Sequence, residues 1–227
     1  MRNSWWFLAP LFWILAVLPL MAAFWVYLEL PETIQVTPEH TMPTGRVGVW
    51  PLPIVNLLFA VALHIAAGRI ERHLEHHFRT LGRTSDAPVV IPGVKLFMMA
   101  HLSAICLSVV YAHYVMDTGR LALSLMGRVS AFVPGIGVAL FAMRLPHASK
   151  DSLLALRFPY TEKSSQVWLK THKLGSRVLY AAGAVMVITA FVSDGITAVV
   201  TAALALSVSL FVLYLYAKRL YDDEPYR

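Results

Sequence analysis

Residues 197–217 read TAVVTAALALSVSLFVLYLYA, twenty-one positions without a charge. A bilayer core of about 30 Å needs about 20 mostly apolar residues wound as a helix. This stretch meets that length and predicts a membrane-spanning helix. Five more stretches follow the same rule: 5–27, 52–67, 96–116, 121–143 and 178–193. The second and fifth are short alone, and each can extend into its flanks. The first follows a single Arg and is too long for a signal-peptide core, so it reads as a retained span. The expected fold class is an all-α membrane protein of six transmembrane helices.

Composition agrees with that reading. Of 227 residues, 58% are hydrophobic and 14% charged, against about 45–50% and about 25% in soluble domains. This excludes disorder, a nucleic-acid-binding domain and most soluble enzymes. The net charge of +6 therefore needs a source other than nucleic acid, and its distribution supplies one. The first, third and fifth loops hold Arg46 and Arg120 against Glu29, Glu32, Glu39, Asp117 and Asp194. Of the other basic residues, all but Arg128 lie on the opposite side, from Arg2 and the 69–95 segment through 144–177 to the C-terminus. Positive charge collects on the cytoplasmic side of membrane proteins. Both termini are thus expected in the cytoplasm, with a cell-membrane, multi-pass location. Arg128 falls seven residues into the fourth span. It either snorkels to the interface or has a role inside the membrane.

Aromatic residues near the span ends, among them Trp25, Tyr27, Trp50, Tyr111 and Tyr214, fit head-group depth. Cys106 is the single cysteine, so no intramolecular disulfide can form, and it reads as a small packing residue. The segment 133–137, VPGIG, lies within a span, where Pro and Gly serve as kink and close-packing residues.

Nine histidines raise the question of metal or haem. His73, His76 and His77 form HLEHH after the second span, and His73 and His77 share a helix face. The HxxHH pattern resembles one histidine box of membrane di-iron desaturases, which use several. Against this, Ile70, Leu74, Phe78 and Leu81 form the apolar stripe of an amphipathic segment over 69–83. His64 and His101 lie at similar depth in adjacent spans, a placement that suits two axial haem ligands. Single histidines in spans also bond to neighbouring helices. The expectation is no cofactor, no metal and no catalytic residue. A metal- or haem-dependent oxidoreductase and a small-solute transporter are the alternatives.

The most informative stretch is 156–175, LRFPYTEKSSQVWLKTHKLG. Pro159 restricts Phe158 to an extended conformation. Thr161, Ser164 or Ser165 can cap a helix running into the fifth span. On that helix Trp168, Thr171, His172 and Gly175 share one face. Lys163, Lys170, Lys173 and Arg177 surround it with positive charge. The face reads either as an interfacial anchor on anionic lipid or as a binding surface.

This stretch resembles the SdpI family of membrane immunity proteins. The family signature is an Arg-x-Pro-aromatic-Thr turn followed by V-W-x-x-T-H-[RK]-x-[GA]. Arg157, Pro159, Tyr160, Thr161, Val167, Trp168, Thr171, His172, Lys173 and Gly175 match it in spacing and type. Pro146 also stands where the family has a Pro. The family's Asn positions are occupied by Asp151 and Met143. An N-terminal outer-loop motif of such proteins, L-P-x-x-I…H-F-N-x-x-G-x-x-D-G-W, is met in part by Leu30, Pro31, Ile34, His40, Gly45 and Trp50. Its Asn stands as Met42 and its Asp as Gly48. The resemblance implies a two-span module over 1–92, with an outer loop 30–50, and a four-span module over 93–227, with a cytoplasmic loop 144–177. It also implies a non-enzymatic role: immunity against a secreted membrane-active peptide toxin. In some members that role extends to signalling through an ArsR-type repressor recruited to the membrane, with no direct nucleic-acid contact. Arg157, whose fork can bridge Asp151, Glu162 or a lipid phosphate, is the first functional candidate, with Trp168 and His172 as the contact face.

Overall fold

The structure is a computed structural model that describes residues 8–27, 29, 34–37, 40–42, 49–82, 86–115 and 119–224. Six long helices dominate it: α1 (Leu8–Val26), α2 (Pro51–Thr80), α3 (Ala87–Tyr114), α4 (Gly119–Arg144), α6 (Ser165–Val192) and α7 (Gly195–Asp222). All six are long and apolar enough to cross a membrane. A 3-10 turn, Leu145–His147, and the short helix α5 (Pro159–Lys163) lie between α4 and α6. Two strands, β1 (Ile34–Thr37) and β2 (His40–Met42), pair antiparallel in the first loop, a small addition to the helical fold expected from sequence. The second and fifth spans do extend into their flanks.

Ends of helices follow local chemistry. Pro51 opens α2 at a position where its missing N–H costs nothing. Gly82, at φ +66°, follows α2 and donates its N–H to the Arg79 carbonyl, closing the last turn in the left-handed conformation that glycine adopts freely. Asp194 caps α7. Its carboxylate accepts the Thr197 N–H at 3.0 Å and the Thr197 hydroxyl at 2.7 Å. These bonds, the backbone one first, hold the Asp194 carboxyl below its ordinary value. A depressed folded pKa means the cap contributes stability above the ordinary carboxylate pKa and loses it as pH falls through the folded one. Asp194→Ala is therefore expected to melt below the wild type at neutral pH, the gap closing in acid. A pH series of thermal melts in detergent checks this.

The chain divides into two compact units, Met1–Ser130 and Ala131–Arg227, the divide falling inside α4. In the first unit, Phe12, Ala16, Ala60 and Met99 form a buried cluster joining α1, α2 and α3. Beside it Asn56 donates to the Ala16 carbonyl at 3.0 Å, and Ser103 donates to the Leu15 carbonyl at 2.7 Å. Such bonds hold helices together where lipid removes the hydrophobic drive for association. Cys106 is buried in this unit, as a packing residue would be.

In the second unit, Ala131, Met186, Ala190, Ala198 and Ala202 form one cluster, and Ala142, Leu145, Leu156, Leu179 and Leu213 another. Alanines recur in the interior while large apolar side chains such as Trp25, Phe191, Ile196 and Phe211 are exposed. That inverted pattern suits a lipid surround, because small residues let helix backbones approach closely. Gly135 of α4 and Gly183 of α6 make one such close approach. A Cβ on Gly183 would lie 2.7 Å from the Gly135 carbonyl oxygen and 2.9 Å from the Ala139 nitrogen.

Candidate functional site

The motif residues 157–175 lie in the second unit and build one compact device. Phe158 is extended (φ −100°, ψ 153°), as the following proline requires. Pro159 then starts α5. The Thr161 hydroxyl accepts the Phe158 N–H at 2.9 Å and lies within 3.1 Å of the Leu156 carbonyl. A single buried hydroxyl thereby ties the start of α5 to the segment before it. Ser164 is the capping residue of α6: its hydroxyl accepts the Val167 N–H and also donates to the Glu224 carboxylate beyond α7.

On α6, Trp168, Thr171, His172 and Gly175 share the face expected of them, and all four are buried. What covers them is the strap formed by residues 145–158. The Trp168 indole N–H donates to the Ala148 carbonyl at 3.0 Å. The Leu156 N–H donates to His172 Nε2 at 3.0 Å. Since Nε2 accepts, the neutral ring carries its proton on Nδ1, which donates to the Trp168 carbonyl at 2.8 Å. The two rings stack with centroids 4.1 Å apart and planes at 24°. Gly175 completes the seat: a Cβ there would lie 2.7 Å from Leu156 Cδ1. The face expected from sequence is thus occupied by the chain's own strap. The Thr171 hydroxyl is buried in the same seat without a partner among the described residues.

Arg157 is exposed and braces the strap from outside. Its Nη2 donates to the carbonyls of Lys150 at 3.1 Å and Ser152 at 3.0 Å, and Nη1 lies 3.6 Å from Glu162. Glu162 is thus a carboxylate that it meets. An exposed ion pair of this kind contributes little alone. The fork's larger effect is geometric, since one planar group holds two carbonyls at once. Tyr160 packs against Tyr214 and Tyr221 of α7. The Tyr214 hydroxyl beside it raises the Tyr160 phenol above its usual value. Lys163, Lys170, Lys173 and Arg177 are exposed around this device.

The remaining candidates lie elsewhere. Trp50 packs its ring 5.5 Å from that of Tyr27. His40 lies in β2, and Pro31 and Gly45 lie outside the described residues. His73, His76 and His77 ride on the last turns of α2, where His76 and His77 are exposed. His64 meets Lys95 and Trp13, and His101 is on α3 with its Nδ1 buried and without a partner among the described residues. Among the described residues, no three His, Cys, Asp or Glu side chains gather as a metal site. Sequence reasoning missed Leu156, Ala148 and Glu224. Two of them act through backbone groups, which leave no mark on residue type.

Residues 148–216 match the SdpI/YfhL protein family. The chain is also similar to "Immunity protein SdpI" of Bacillus subtilis (strain 168), 23% identical over 219 residues, covering 91% of this chain and 94% of that protein. No solved structure matches. The matched region contains the strap from Ala148 onward, α5, α6 and most of α7, so the resemblance read from residues 157–175 holds, and the chain is a multi-pass membrane protein similar to SdpI.

Proposed function

We propose that this protein protects its own cell against a secreted, membrane-active peptide toxin, as a non-enzymatic membrane protein. The observation that carries the reading is an overlap. The Arg157 brace, the Trp168–His172 seat and the strap from Ala148 onward fall within the region matched to the family, in a chain similar nearly end to end to an immunity protein. In these contacts the ring nitrogens of His172 and the Arg157 guanidinium serve in holding the strap. The motif works as a latch that keeps α6 and its preceding segment in one arrangement. The outer loop 30–50 is the part that meets the toxin, and the latch lies on the cytoplasmic side.

Expression in a toxin-sensitive host tests this. The wild-type chain raises survival, and Arg157→Ala lowers it while the protein still reaches the membrane. Arg157→Lys behaves like Arg157→Ala, because a point charge cannot span two carbonyls. Absence of protection by the wild type would sink the reading. Reporter fusions at the two termini check the sidedness.

Signalling through a recruited ArsR-type repressor would use the exposed rim of Lys163, Lys170, Lys173 and Arg177 rather than the buried rings. Lys170→Glu with Lys173→Glu should then lose membrane recruitment of the repressor and keep toxin survival.

A further inference from the structure

The first unit holds a second cluster of ionisable side chains that the immunity reading does not use. A cavity of about 230 Å³ opens between α2 and α3, with His64, Gly68, Glu71, Pro92 and Lys95 in its wall. Ala67 and Gly68 contribute almost no side chain, which is what opens it. Lys95 Nζ lies 3.3 Å from His64 Nδ1 and 4.6 Å from the centre of the Phe12 ring. The Trp13 ring lies 5.3 Å from that of His64. Glu71 is close enough to Lys95 for the two charges to interact.

Depth narrows what can enter. At 1.5 Å per residue, Glu71 lies about 30 Å along α2 from Pro51, and Lys95 about 28 Å along α3 from Tyr114. Each length is one hydrocarbon core of about 30 Å. Glu71 and Lys95 therefore stand together at one membrane face, and His64 lies about 10 Å deeper. The flanking outward positions are apolar: Val61, Ile65, Val94 and Met98 are exposed. A charged groove above a lipid-facing apolar wall matches the build of a phospholipid, polar at one end and hydrocarbon at the other.

The charges choose the head group. Lys95 has three donors, and His64 takes one, so an acceptor such as phosphate suits it. Glu71 lines the same cavity, with Glu75 and Arg72 both close enough to interact with it, so that Arg72 and Lys95 offset the two carboxylates without removing Glu71 from the wall. A head group carrying only negative charge would meet that carboxylate. A phosphate joined to a primary ammonium satisfies both ends, and the ammonium N–H groups can donate to Glu71. A quaternary ammonium has no N–H to donate. We propose that the groove between Glu71 and Lys95 binds a phospholipid whose head group pairs a phosphate with a primary ammonium, as in phosphatidylethanolamine.

Native mass spectrometry of the purified full-length protein, with equal phosphatidylethanolamine, phosphatidylcholine and phosphatidylglycerol added in detergent, tests the site. The wild type should retain phosphatidylethanolamine about tenfold over the other two, as one added charge-assisted contact permits. Glu71→Gln should erase the preference over phosphatidylglycerol. Lys95→Met should reduce retention of every phospholipid, and Lys95→Arg should restore it. If Lys95→Met does not fold, Glu71→Gln carries the test. Equal retention of the three lipids by the wild type overturns the proposal. So does a preference for phosphatidylglycerol, or wild-type selectivity in Glu71→Gln. Displacement of the lipid by equimolar soluble phosphoethanolamine would also overturn it, since the groove would then serve a small solute.

Discussion

Gly183→Leu is expected to abolish accumulation of the folded protein, and Gly183→Ala to lower its melting temperature in detergent substantially. The reason is the crossing of α4 and α6. An alanine Cβ at position 183 would lie 2.7 Å from the Gly135 carbonyl oxygen, 2.9 Å from the Ala139 nitrogen and 3.2 Å from the Ala139 Cβ. The first two are backbone atoms, which cannot turn aside as a side chain can. The helices would have to separate along their length. Overpacking of this kind costs about 1–3 kcal/mol or more, and unyielding neighbours place Gly183→Ala at the upper end. Separation also loses the close packing on which helix association in lipid depends. Gly93→Ala is the matched control. Nothing lies within 4 Å of its Cβ position, so it should be neutral, or more stable by up to about 1 kcal/mol through helix propensity. Thermal melts that place Gly183→Ala level with the wild type would remove the crossing from the account.

Trp168→Ala should cost about 3–5 kcal/mol, the range for truncating a large buried aromatic. The ring is 6% exposed, stacks on His172 and donates to the Ala148 carbonyl. Truncation leaves that carbonyl unpaired and opens the seat under the strap. Trp168→Phe separates the contributions. It keeps a ring for stacking and loses the N–H, for about 1 kcal/mol. In limited proteolysis the 145–158 strap should become sensitive in Trp168→Ala and stay protected in Trp168→Phe. If the two variants melt together, packing of the indole is not what holds the strap.

Several features were legible in residue order because their causes are local. Each span announces itself by length and apolarity. The extended Phe158 follows from Pro159, and a cap for α6 was expected from Thr161, Ser164 or Ser165, of which Ser164 takes the role. The shared face of Trp168, Thr171, His172 and Gly175 follows from helical period alone. Periodicity says which side chains point the same way, and it is silent on what lies opposite them. Hence the face itself was legible, and the strap that covers it, bonded from Ala148 and Leu156, was not. The same limit applies to His64. Its spacing with His101 suggested a pair across two spans, whereas its neighbours are Lys95 and Trp13.

Residue order by itself determined the six-helix membrane architecture, the proline-set turn at Phe158 and the position of the family motif. Those depend on apolar run length and on bonds spanning three or four residues. It also marked 133–137 as a place of close packing, without naming the partner. Tertiary structure alone decided that Gly135 meets Gly183, that the strap seats on Trp168 and His172, and that Glu71 and Lys95 share one groove. Each of these is a meeting of groups from separate elements of the chain, and such meetings depend on how those elements pack, which no local pattern records.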